Sequence, residues 1–154
     1  MSTLEQLLKM LSRYKINGTF QTNQKGSLSK IFCPKLIPKK LRNFGVYIFT
    51  EKNSETDVEE IVYIGKNGTL NNDGFFGNHT LNKRIMQGKI KSKWLVNNNF
   101  KVYWFITILR SEVDIIPNDI PTVVECDLLK KFFELEKKLP KNNNNFWLII
   151  IIKI

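Results

Sequence analysis

The sequence predicts one small α/β domain: a three-stranded, largely antiparallel sheet flanked by helices, with a basic arm at its N-terminal end. Three observations predict it. Three runs rich in β-branched and aromatic residues read as strands. Two segments repeat apolar residues at helical spacing. The chain has 154 residues, a comfortable length for one domain and short for two. A hydrophobic share of 42% and a charged share of 25% suit a globular core and argue against wholesale disorder.

In chain order, Leu4, Leu7, Leu8 and Leu11 recur on one helical face, so the chain opens on a short amphipathic helix. After Gly18 the pattern dissolves into a polar, Gly/Pro-punctuated arm that ends at Pro38-Lys39-Lys40. Residues 1–43 form this helix and arm. The domain proper spans 44–145 and starts on a strand, Gly45-Val46-Tyr47-Ile48-Phe49. An acidic loop from Glu51 to Glu60 leads to a second strand, Ile61-Val62-Tyr63-Ile64, and the two make a hairpin.

A Gly/Asn-rich loop, Gly65 to Asn78, carries Phe75-Phe76 at its middle. Thr80 caps a helix reaching about Lys91, with Leu81 and Ile85 on its buried side. Phe100 to Leu109 is the strongest strand of the chain, and its apolar content suits a central place in the sheet. Pro117 and Pro121 mark a loop, after which a long helix runs from about Thr122 to Lys138 and stops at Pro140. Residues 146–154 read as a C-terminal tail or an added strand.

Charge narrows the class of partner. There are 24 Lys and Arg against 14 acids, a formal charge of +10. Residues 1–43 hold nine basic side chains and a single acid, Glu5. From Lys83 to Lys101 there are six basic residues and no acid. An excess of this kind favours polyanions, because each neutralised phosphate releases condensed counterions. No apolar run reaches the ~20 residues that a membrane-spanning helix needs. No segment has a secretory layout, and Cys33 and Cys126 stand in no metal-ligand spacing. A soluble protein of the cytoplasm is the expectation, with no membrane partner.

Two short strings carry the chemistry. Gly45-Val46-Tyr47 lies in the first strand, and Tyr63-Ile64-Gly65-Lys66 closes the second. Paired on one hairpin, they resemble the signature of the GIY-YIG nucleases, a family that includes the N-terminal nuclease of UvrC repair enzymes, homing endonucleases and restriction enzymes. The later elements keep the family order: a helix carrying Arg84, a third strand, a helix with Glu125 before an apolar run, then Pro140 and Asn143. The resemblance covers roughly Phe44 to Asn145.

It implies a DNA endonuclease that hydrolyses a phosphodiester with one hard divalent cation, Mg²⁺, for which Mn²⁺ can substitute. Glu125 would hold the metal; alone, it would serve equally as an acid complementing the helix dipole. Arg84 would clamp phosphate oxygens with its planar fork of donors. Tyr63 would be the general base, its phenol pulled down from an ordinary value of about 10 by Lys66. Tyr47 would position water or phosphate. Read without the motif, both tyrosines are ordinary strand aromatics.

Three features depart from the family pattern. The loop before Arg84 is longer than in UvrC-like members, which suits the restriction-type branch. Gly88 stands where members often carry Tyr or His, and His79, in the preceding loop, either substitutes for it or is an ordinary loop histidine. The spacing from Glu125 to Asn143 is also long, and Asn142 and Asn144 compete for its role.

Phosphate contacts are assigned to Lys39, Lys40, Arg42, Lys83, Lys89, Lys91 and Lys93. Such contacts hold duplex DNA and read little sequence. A restriction-type enzyme, working as a homodimer if its sites are palindromic, is the leading expectation. A homing or repair nuclease of the same fold is the alternative within that chemistry. A non-catalytic nucleic-acid-binding module with a decayed site is the alternative outside it.

Overall fold

The structure is a computed structural model, and it describes residues 1–22, 43–69, 71–72, 99–109 and 117–143. Within these, the elements are α1 (Thr3–Leu11), β1 (Asn17–Gln21), β2 (Asn43–Lys52), β3 (Glu59–Asn67), β4 (Phe100–Leu109) and α2 (Pro121–Glu136). A single turn of 3₁₀ helix, Pro117–Asp119, leads into α2. The four strands form one antiparallel sheet in the order β1-β4-β2-β3.

The strongest strand, β4, is central as expected. The strand count is not: four are present among the described residues where three were expected. The missed strand is β1, Asn-Gly-Thr-Phe-Gln, in which only Phe20 is buried. It has no apolar run to announce it. It exists because β4 supplies its ladder, pairing Gly18 with Trp104 and Phe20 with Val102. The expected structureless arm after Gly18 therefore begins as sheet, and residues 3–21 belong to the same fold as the later strands.

Both helices lie on one face. Leu4, Leu7 and Leu11 of α1 join Val124, Leu128, Leu129 and Phe132 of α2 over Val46, Ile48, Ile64 and Phe105. Nine residues are too few for an isolated helix to persist in water, so α1 is held by this burial. Each buried leucine contributes about 1.5–3 kcal/mol, which outweighs the roughly 1 kcal/mol of a good N-cap. The cap is nonetheless complete: Ser2 and Glu5 form a reciprocal capping box. At the far end, α2 stops at Glu136 because Lys137 turns left-handed (φ 57°), two residues before the expected Lys138.

The other sheet face is aromatic. Phe20, Tyr47, Phe49, Phe100, Val102, Trp104 and Ile106 form a second buried cluster, with Tyr63 packed against it. Two register shifts interrupt the ladders. One leaves Val62 as an extra residue of β3, and the other leaves Thr107 as an extra residue of β4. Bulges of this kind bend a strand and re-aim its side chains.

The helix expected over 80–91, the Phe75-Phe76 loop, Cys33 and the segment 146–154 lie outside the described residues. Among the described residues no helix is long and apolar enough to cross a membrane.

Candidate active site

Alternation along β2 and β3 sets the geometry. Tyr47 pairs with Gly65 and Phe49 with Tyr63, so both tyrosines project from the aromatic face. Their ring centroids are 6.0 Å apart, and Phe49 lies 5.6 Å from Tyr47 and 6.0 Å from Tyr63. Tyr47 is fully buried, while Tyr63 is half-buried. Of the two side chains, only that of Tyr63 belongs to a partly exposed residue.

Both motif glycines have steric reasons to be glycine. A Cβ on Gly45 would stand 1.9 Å from the carbonyl oxygen of Phe105, a backbone atom that cannot move aside. A Cβ on Gly65 would stand 2.5 Å from the Tyr63 ring and 2.7 Å from the Tyr47 ring. The first glycine lets β2 approach β4 at the bulge. The second leaves the space into which the two tyrosine rings close.

Two asparagines then lock the hairpin. Asn143 is buried, and its side chain pairs twice with one residue of β3. The Ile64 N–H donates to its Oδ1 at 2.9 Å, and its Nδ2 donates to the Ile64 carbonyl at 2.7 Å. The Asn142 N–H donates to the Val62 carbonyl at 3.1 Å. Segment 142–143 thus caps the outer edge of β3, immediately beside Tyr63. The amide of Asn143 is engaged as a strut at that edge.

Asn67 is the second lock, and it was not among the residues expected from the sequence. Its Oδ1 accepts from the Gly45 N–H at 2.9 Å, which ties the end of the second string to the start of the first. A signal was available, since Asn is depleted in strands and a strand Asn beside a motif points to a side-chain task.

Lys66 and Glu125 lie on the helix side of the sheet. Three residues along a strand reverse the face, so Lys66 points away from Tyr63; its ammonium donates to the Thr69 hydroxyl at 3.2 Å. Its charge is felt at Cys126 in α2. Burial pushes that thiol up, the flanking Glu125 and Asp127 carboxylates add to the shift, and Lys66 opposes it. Glu125 is 8% exposed, whereas Asp127 is exposed. Burial therefore singles out Glu125 within this acidic pair.

Tyr63 and Glu125 are carried on opposite faces. Since β3 is an edge strand, a ligand touching both has to wrap its edge or its Gly65–Asn67 end. Among the described residues no three His, Cys, Asp or Glu side chains converge on one point. A single carboxylate does fit a hard cation that keeps most of its waters.

Arg84, His79, Lys39, Lys40, Arg42, Lys83, Lys89, Lys91 and Lys93 lie outside the described residues. So does the charge excess. Thirteen of the 24 basic residues and three of the 14 acids fall outside, and their difference is the whole of the +10.

Comparison with protein-family models, with curated proteins and with solved structures found no match for this chain.

Proposed function

We propose that the chain is a metal-dependent DNA endonuclease of the GIY-YIG kind, restriction-type in its biology. The observation that carries this reading is the diagonal approach of the Tyr47 and Tyr63 rings, 6.0 Å apart over Gly65, with the β3 edge braced by Asn143. On this reading the glycines and tyrosines of the two strings have separate roles. Gly45 and Gly65 allow the approach, Asn67 joins the strings, and Tyr63 is the partly exposed member of the tyrosine pair.

Tyr63 takes the proton of the attacking water, and the buried Tyr47 backs its ring. Arg84 clamps the phosphate. Glu125 is the residue that would hold Mg²⁺ or Mn²⁺, which supplies charge stabilisation at the phosphate when bound. The basic residues at 39, 40, 42, 83, 89, 91 and 93 hold duplex DNA, and a homodimer serves palindromic sites. The general base contributes typically 10²–10⁴-fold to such a step.

The test is cleavage of a long mixed-sequence DNA with Mg²⁺ and with EDTA, comparing wild type with Glu125→Ala and Tyr63→Phe. Discrete, metal-dependent fragments are expected from wild type. Each variant is expected to lose activity by about two orders of magnitude or more. Cutting by either variant at the wild-type rate would remove that residue from the chemistry.

A second reading is favoured by one observation. Lys66 and Tyr63 point to opposite faces, so the cation expected to lower the phenol is not beside it. On that reading the chain binds nucleic acid without cutting it. Salt-sensitive binding with no cleavage by wild type in either metal would establish that alternative.

A further inference from the structure

The geometry points to β1 as a dimerisation edge: two copies of this chain join their sheets by antiparallel pairing of Asn17–Gln21 about a two-fold axis at Thr19. Such an edge is independent of the nuclease reading and would serve a binding module equally.

Hydrogen bonding along β1 shows which groups face outward. The Ile106 N–H donates to the Ile16 carbonyl, and the Thr22 N–H donates to the Phe100 carbonyl, both at 2.9 Å. In an antiparallel ladder such pairs recur at every second residue. Residues 16, 18, 20 and 22 therefore turn their backbone groups toward β4. Asn17, Thr19 and Gln21 turn theirs away, and no described residue bonds to those outward N–H and C=O groups. Asn17 and Thr19 are also exposed.

Natural sheets blunt such an edge with lysines, prolines, bulges or a covering segment. Residues 17–21 have no charge, no proline and no register shift. The opposite edge makes the contrast, because residues 142–143 cap it at Val62 and Ile64. One edge is closed by the Asn143 side chain and the Asn142 backbone, whereas among the described residues none closes the other.

The occupant is a second copy because the strand is self-complementary. Centred on Thr19, the antiparallel register sets Asn17 opposite Gln21, Gly18 opposite Phe20 and Thr19 opposite itself. Amide faces amide on one side of the joined sheet, and threonine pairs with threonine, a favourable cross-strand combination. The absence of charge in 17–21 lets two chains of net charge +10 meet along this line without like charges in register.

The test is sedimentation velocity over a wide concentration range, with amide hydrogen exchange read at Thr19. Wild type is expected to rise from 18.1 kDa toward twice that mass, with Thr19 exchange slowing in parallel. Thr19→Pro removes an outward N–H that β4 does not use, and edge strands tolerate proline there. It is expected to leave the circular dichroism spectrum unchanged and hold the protein at the monomer mass. Thr19→Lys sets two cations opposite one another and is expected to do the same, which keeps the test valid if the proline variant misfolds. A wild type that stays monomeric at its highest concentration overturns the inference. So does a dimer that both variants retain.

Discussion

The two edges of the sheet are built from similar backbone and treated in opposite ways. At β3 the outward groups of Val62 and Ile64 are taken up by residues 142 and 143, and the strand carries a bulge and charged residues at its start. At β1 the outward groups of Asn17, Thr19 and Gln21 meet no described residue. The difference teaches where the molecule needs rigidity. The strand that carries Tyr63 is braced from outside by a buried amide, and bracing of this kind by surrounding groups fixes where a side chain sits. On the strand remote from Tyr63 no described residue provides such a brace.

Breaking the brace is expected to have the largest effect. Asn143→Leu keeps the bulk of the side chain but strands a buried N–H and a buried C=O on Ile64. Each unsatisfied group costs about 1–3 kcal/mol, so chemical denaturation should show a loss of roughly 2–6 kcal/mol. A loss below that range would mean that water or a backbone shift re-satisfies Ile64, and that the edge is less tightly closed than its two hydrogen bonds imply.

Filling the space between the tyrosines is expected to cost less. Gly65→Ala drives a methyl group against the Tyr47 and Tyr63 rings, and overpacking of this kind costs typically about 1–3 kcal/mol. Because the rings must part, near-ultraviolet circular dichroism should change along with stability. Unchanged stability with an unchanged aromatic spectrum would show that the rings are not held in contact.

The smallest effect concerns the approach to β1 and appears only in alkali. Tyr14 donates to Asp119 at 2.8 Å and accepts from Arg13 at 2.6 Å, while its carbonyl accepts from the Asn17 side chain. Burial first, and the Asp119 carboxylate second, push the Tyr14 phenol up to about 12, against the opposing pull of Arg13. Its ordinary value is about 10. A phenol whose folded value is raised stabilises the fold fully below pH ~10 and loses that contribution as pH climbs toward ~12. Melts from neutral pH to that range should show this decline, and Tyr14→Phe should flatten it. An equal decline in the variant would trace the effect to other groups.

Some elements were legible along the chain and others were not. The runs around Val46-Tyr47-Ile48 and Val102-Tyr103-Trp104 declared their strands, and the leucines of α1 declared their helix, since burial on one face imposes a period on the sequence. The pairing of the two motif strings followed from their place on one hairpin, and the facing tyrosines followed from strand alternation. The opposite facing of Lys66 was open to the same rule, yet the motif drew Lys66 and Tyr63 together. Burial of Glu125 over Asp127 was not legible, because both lie on one helix and only the docked sheet distinguishes them.

By itself, then, the sequence determined the α/β class, the three long strands, both described helices and the glycine-tyrosine strings. Each of these depends on local periodicity or on residue types close together in the chain. The tertiary structure alone decided that Asn-Gly-Thr-Phe-Gln is a strand, that Asn143 reaches Ile64 across 79 positions and that Asn67 reaches Gly45 across 22. A short polar segment becomes sheet only when a partner strand offers its ladder. A hydrogen bond between distant residues has no period, so it leaves no trace in the sequence until the chain has folded and brought the two groups together.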